Sequence, residues 1–201
     1  VSAPVRTPQQ ERSRATQQRL LAATIECLVE HGWSGTTTTV VAERAGVSRG
    51  AQLHHYPTRA ALVVAAVARL CELRADELRA EAVALRSQPA AGRVDRTVDL
   101  FAASFTSPLF TAALELWVAA RTDPDLRQAL LPVEARLGRE MHRLALELLG
   151  VDETRPGVRV AVQMTLDLLR GLGVANMLGD DRARRASILA ACKVQLAAQI
   201  S

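Results

Sequence analysis

A chain of 201 residues, nearly half of them apolar and only 3% aromatic, is long enough for one large core or for a small head on a larger body. Its longest apolar run, Ala60 to Ala68, is about half a membrane span. Its three cysteines, Cys27, Cys71 and Cys192, are too scattered for a disulfide framework or a zinc site.

Charge is unevenly spread: of the net +4, residues 1–60 carry +3 and the rest of the chain +1. A basic end on a near-neutral body suits a partner such as a phosphate backbone. No apolar stretch precedes Leu20, so a signal peptide is not expected, and the three thiols read as buried and reduced. The expected compartment is the cytoplasm, with no membrane partner.

Taken in chain order, residues 1–8, with Pro4 and Pro8, are expected to form a loose arm. A first helix then runs to about His31, with Leu20, Ala23, Cys27 and Leu28 on one face. Thr24 lies in the same stripe, where its hydroxyl can bond back to the helix. Gly32 and Gly35 stop this helix. Thr38 to Ala45 is a short second helix ended by Gly46, and Ser48 caps a third that must finish at Tyr56, before Pro57. Thr58 caps a long fourth helix reaching about Gln88, terminated by Pro89 and Gly92.

The body continues with helices near 93–105 and 109–122, broken at Pro108. Asp123-Pro124 opens the next one, since Asp caps and Pro suits the first helical position. It runs to Leu149 with a disturbance expected at Pro132, and Gly150 ends it. Two more helices, about 156–178 and 181–200, are separated by Gly179-Asp180. The reading is all-α, with about nine helices: an N-terminal three-helix helix-turn-helix head (residues 1–60, arm included) joined by the long fourth helix to a helical body (residues 61–201).

The informative stretch runs from Thr37 to Leu62. Ala42 is small where two helices must cross closely, and Gly46 sits in a turn that calls for a positive φ. Val41, Ala45 and Val47 are expected to face inward. Arg49, Gly50, Leu53 and His54 then face outward, which is the geometry of a recognition helix entering the major groove.

These residues resemble the tetracycline-repressor (TetR) family of bacterial regulators. The resemblance is carried by Gly35-Thr36-Thr37, by Ala42-Glu43-Arg44-Ala45-Gly46-Val47-Ser48-Arg49-Gly50, by His54-His55-Tyr56-Pro57 and by Leu62. They follow a first helix ending His31-Gly32-Trp33, and the match covers about residues 15–65. The remainder is similar to the family only in size and helix number.

The resemblance implies that Thr38 and Thr39 contact phosphate or a base, and that Arg49, Gly50 and Ala51 lie against base edges. Arg49 is then the candidate for bidentate guanine recognition, and Gly50 and Ala51 allow close approach or a thymine-methyl contact. His54 or His55, and Arg59, would hold phosphates. Two positions depart from the family pattern, which has a bulky apolar residue and then a Tyr where this chain has Gln52 and Leu53. Either the third helix is slightly rotated or Gln52 reaches a base. Both remain in the candidate DNA-binding set.

Plainer readings stand beside these. Adjacent His54 and His55 point about 100° apart on a helix, so they do not make a metal pair, and no metal or cofactor is expected. Arg6, Arg12 and Arg14 either track phosphate or belong to a mobile arm. Trp33 reads as a staple between the first and fourth helices.

In the body, Phe101, Phe105, Phe110, Ala113, Trp117, Met141 and Met164 are candidates for lining an effector pocket, although such residues are usually ordinary core. Glu115, His142, Gln163, Asp167 and Asn176 read as solvated polar groups. Val160, Met164, Asp167-Leu168, Gly171 and Ala175 share one stripe of the penultimate helix. Ile188, Leu189, Cys192, Leu196 and Ile200 form a face of the last. The resemblance implies a four-helix homodimer bundle there, with Met164, Gly171, Ala175, Leu189, Cys192 and Leu196 in the interface; the alternative is that these faces close the core of one chain.

An enzyme has no support, because the chain shows no phosphate loop, no spaced His/Cys/carboxylate cluster and no nucleophile elbow. A helical interaction protein without DNA binding is the other rival. The reading is a homodimeric repressor of a palindromic double-stranded operator, released by a small, apolar effector.

Overall fold

The computed structural model describes residues 8–86, 91–177, 179 and 181–200. They form nine helices and no strand: α1 (Pro8–Gly35), α2 (Thr38–Ala45), α3 (Arg49–His55), α4 (Arg59–Arg86), α5 (Arg93–Ser104), α6 (Pro108–Ala120), α7 (Pro124–Leu149), α8 (Val158–Ala175) and α9 (Arg182–Ile200). The expected loose arm, with Pro4 and Arg6, lies outside the described residues except for Pro8, which opens α1. Arg12 and Arg14 are therefore helical and exposed rather than part of an arm. Pro89 and Asp180, expected to sit in the breaks after α4 and before α9, also lie outside the described residues. Among the described residues no single helix is long and apolar enough to cross a membrane.

Local chemistry sets most of the boundaries. The Thr37 hydroxyl accepts from the Val40 N–H (3.2 Å), the Ser48 hydroxyl from Ala51 (3.2 Å), the Thr58 hydroxyl from Ala61 (3.0 Å) and the Asp123 carboxylate from Leu126 (3.0 Å). Each satisfies a donor that a helix start would otherwise leave open. Gly46 closes α2 at φ 61°, ψ 41°, with its N–H donating to Glu43 and that of Val47 to Ala42; only glycine takes this left-handed conformation without a steric cost. Within α1, Gly32 at φ 63°, ψ −172° kinks the helix, so its regular part ends at His31 as expected. Pro132 removes one ladder donor from α7 without ending it.

The chain forms two compact units. One comprises Val1–Glu72 with Ala112–Val133, the other Leu73–Thr111 with Glu134–Ser201, so α4, α6 and α7 each supply residues to both. The first unit has two apolar clusters. Leu20, Ala23, Cys27, Val41, Ala45, Tyr56 and Leu62 hold α1 to α4 around the turn between α2 and α3. Leu28, Val63, Val67, Leu116, Leu126 and Leu130 form the second, with Trp33 and Trp117 against its margin. Thr24 is fully buried and donates its hydroxyl to the Leu20 carbonyl (2.7 Å).

The second unit packs α5 against α8 and α9. Val98, Phe101, Val158, Val162, Leu166, Leu169, Cys192, Leu196 and Ile200 are buried there. Phe105 and Phe110 meet edge to face, 5.3 Å between centroids, and a Cβ at Gly173 would run into the Phe105 carbonyl and the Phe110 ring. Gly173 is thus required by close approach of α8, not by its dihedrals.

Candidate nucleic-acid interface

The reading head is built on the turn between α2 and α3. Val41 and Ala45 are buried and Val47 is half-buried, which fixes the inner side of both short helices. Tyr56 follows α3 with its ring buried and its hydroxyl accepting from Gln17 on α1 (3.0 Å), a tie that the sequence did not reveal. The outer side is then determined. Arg49, Gly50, Leu53 and His54 are exposed, Ala51 and His55 half-buried, and at the start of α2 Thr39 is exposed and Thr38 half-buried.

Electrostatics separate the head's arginines. Arg44 is held by Glu30 (2.6 Å) and approaches Glu26 (3.9 Å). That hydrogen bond keeps the Glu30 carboxyl below its ordinary range and raises the Arg44 guanidinium. Arg49 has no ion-pair partner among the described residues and stands in solvent on the outer face of α3. Its charge is available to an incoming anion or to the N7 and O6 acceptors of guanine.

Two candidates need correction. Gln52 is fully buried, with its amide NH2 donating to the Tyr56 carbonyl (3.0 Å) and its Oε1 without a partner among the described residues. It occupies the inward position where the family pattern has an apolar side chain, so α3 is not rotated and Gln52 faces no base. Arg59 does not project as a free phosphate clamp. Its guanidinium carbon lies 3.9 Å from the centroid of the Trp33 ring, and its Nε and Nη2 are buried without hydrogen bonds among the described residues. Burial lowers its pKa from the ordinary arginine value, against the pull of Asp123. At most Nη1 remains for a phosphate.

Trp33 is the staple that the sequence suggested, with an unexpected partner. Its backbone N–H, freed by the kink at Gly32, donates to Glu115 Oε2 on α6 (2.7 Å). Glu115 thus serves the end of α1. Spacing gave no sign of this pair, which is 82 residues apart.

The pocket candidates fall in both compact units. Phe101 lines a small, partly enclosed apolar cavity of about 10 Å³ with Thr97, Val162, Thr165 and Leu196, room for roughly one water. Phe105 and Phe110 pack on each other, Trp117 packs at the margin of the Leu116 cluster, and Ala113 and Met141 are half-buried. Met164 is 56% exposed. His142 lies 3.0 Å from the Glu153 carboxylate, and Gln163 donates to Asp167 (3.2 Å).

The interface candidates divide. On α8, Val160 (60% exposed), Met164, Leu168, Gly171 and Ala175 face solvent together. On α9, Cys192 and Leu196 are buried within the second unit, and Leu189 is half-buried beside α5. The exposed side of α9 carries Ala190, Ala191, Val194 and Ala198 instead. Cys192 and Leu196 therefore leave the interface set. Burial also raises the thiol pKa of Cys27 and Cys192.

Comparison with known proteins follows the same division. The pattern of bacterial regulatory proteins of the tetR family matches residues 20–66. The HTH-type transcriptional regulator CymR of Pseudomonas putida is 32% identical over 187 residues, spanning 90% of this chain and 89% of CymR. An HTH-type regulator of Mycobacterium tuberculosis is 32% identical over 151 residues, 72% of this chain and 73% of that protein. In structure, a TetR-family regulator from Mesorhizobium loti aligns with a TM-score of 0.69 at 18% identity, covering 93% of this chain and 96% of its own. The multidrug binding protein EbrR, complexed with ethidium, aligns at 0.68 with 23% identity, covering 92% and 98%.

Proposed function

Because the chain belongs to the TetR family of DNA-binding transcriptional regulators, we propose that it is a homodimeric repressor that binds a palindromic operator and leaves it when a small apolar effector enters the body. The carrying observation is the outer face of α3, where Arg49, with no ion-pair partner among the described residues, stands beside Gly50, Leu53 and His54 on a turn fixed by Gly46. Thr38, Thr39 and His55 flank that face and would hold phosphates. The functional division follows the reading of the chain, with residues 1–60 for DNA and 61–201 for effector and partner. The cytoplasm is the compartment proposed for it, because an operator duplex would be reached there.

The exposed stripe of α8 supports the dimer, since a second copy is the occupant that a palindrome demands. The small residues Gly171 and Ala175 allow close helix approach. For the effector, the support is the apolar wall around Phe101, where the cavity must open to admit a ligand; EbrR, of similar fold, is complexed with ethidium. The ligand acts by preferring one arrangement of the body, and α4 carries that preference to the heads. A spacing that departs from about 34–36 Å no longer matches successive major grooves. A hundredfold release requires about 2.7 kcal/mol of coupling.

Selection of genomic fragments by the purified protein tests the reading. Enrichment of one inverted-repeat sequence, lost on adding a small apolar ligand, is the expected result. A protein that enriches no sequence would instead be a helical interaction protein.

A further inference from the structure

We propose that Leu53, with Gly50 one turn before it, reads the C5 methyl of a thymine in the operator, which makes it a specificity-determining residue of the DNA site; this rests on the DNA-binding reading above. On α3 the ordinary polarity is inverted. The amide of Gln52 is fully buried with an unsatisfied Oε1, while the next side chain, Leu53, is 43% exposed. Exchanging the two residue types would serve the fold better on both counts, since an unpaired buried acceptor is costly and an exposed leucine gains nothing from water. The exposed leucine therefore finds its use outside the protein.

Gly50 points the same way. Its φ is not positive, and a Cβ added to it would meet only the Ser48 hydroxyl, at 4.0 Å. Neither backbone strain nor crowding demands glycine there, and within a helix glycine is less favourable than alanine. Gly50 and Leu53, three residues apart, share a face. That face is a bare patch of backbone beside an apolar knob, in a family that binds DNA.

The major groove offers one exposed apolar group, the thymine methyl. The other bases present hydrogen-bonding edges that a leucine would cover without replacing. Leu53 lies four residues, or roughly 6 Å, along α3 from Arg49, so the thymine falls one or two base steps from the base that Arg49 contacts, at about 3.4 Å per step.

The test uses the full chain and the operator obtained by selection from random duplexes. Each thymine of a half-site is replaced singly, and symmetrically, by deoxyuridine, which lacks only the methyl. At one position affinity should fall about fourfold per half-site, the worth of one buried methyl group. Leu53→Ala should bind the thymine operator more weakly but make no distinction between thymine and deoxyuridine at that position. Cytosine there should bind poorly and 5-methylcytosine better. Indifference of the unmodified protein to every deoxyuridine overturns the proposal without involving any variant, as does an undiminished methyl preference in Leu53→Ala. Failure to select any duplex would overturn the DNA-binding reading itself.

Discussion

Position 52 shows why residue identity is a poorer guide than residue placement. A glutamine beside a recognition face reads as a base contact, yet the inward packing of α3 takes it out of solvent and ties its NH2 to Tyr56. Gln52→Leu removes the unpaired acceptor, worth about 1–3 kcal/mol, and loses one ordinary hydrogen bond of about 1 kcal/mol. The variant should therefore unfold at higher urea, by about 1 kcal/mol, with an unaltered base preference; a shifted preference would return Gln52 to the DNA. Arg49 and Arg59 make a complementary pair. Arg49→Ala should relax specificity at one symmetric pair of positions and cost about 1–3 kcal/mol per half-site. Arg59→Ala should chiefly lower stability, because its stacking on Trp33 is worth about 0.5–2 kcal/mol. Its salt dependence of binding should change by less than one full phosphate contact. Binding profiles across salt, alongside denaturation, separate the two roles. Periodicity located Arg59 at the start of α4, but the direction of a long side chain was not legible there.

Element boundaries were far more legible, because they depend on contacts within a few residues. Thr37, Ser48, Thr58 and Asp123 cap the helices that follow them, and α2 has the bounds that its own pattern predicts. What joins one element to a distant one left no such trace. Gly32 and Gly46 both have left-handed φ values, near 60°, but only Gly32 is also crowded, since a Cβ there would strike the Glu115 carboxylate. Gly46→Ala meets no neighbour and should cost about 1–2 kcal/mol from conformation alone. Gly32→Ala adds the displacement of a charge-assisted hydrogen bond to Trp33, worth about 1.5–3 kcal/mol. It should therefore destabilise more, and the part of the excess owed to Glu115 should vanish when Glu115→Ala is already present, leaving the larger backbone cost of Gly32's ψ of −172°. Additive costs in that double-mutant cycle would mean that Glu115 does not support the kink.

For the whole molecule, the sequence offered apolar faces on α8 and α9 without saying whether a core or a partner covers them, because both uses call for the same residues. Burial separates them. Leu196 is 2% exposed and belongs to the interior of one chain, whereas Met164 on α8 is 56% exposed within a stripe that includes Val160 and Leu168. The two substitutions should accordingly fail in different ways. Leu196→Glu buries a charge in the second unit and should lose the fold. Met164→Glu leaves that interior untouched and should yield a folded monomer, with a melting curve close to that of the starting protein after allowance for lost association. Its effect on DNA follows from footprint. A single helix-turn-helix module buries only about 600–1,000 Å² on DNA, so a monomer has one half-site's contacts where the dimer has two. Operator affinity should drop by about a hundredfold or more, while affinity for an isolated half-site stays unchanged. Sedimentation and half-site binding measured on the same preparation are sufficient to decide. A Met164→Glu protein that still sediments as a dimer would move the partner's footing off α8, leaving Val194, 73% exposed on α9, as the next side chain to charge.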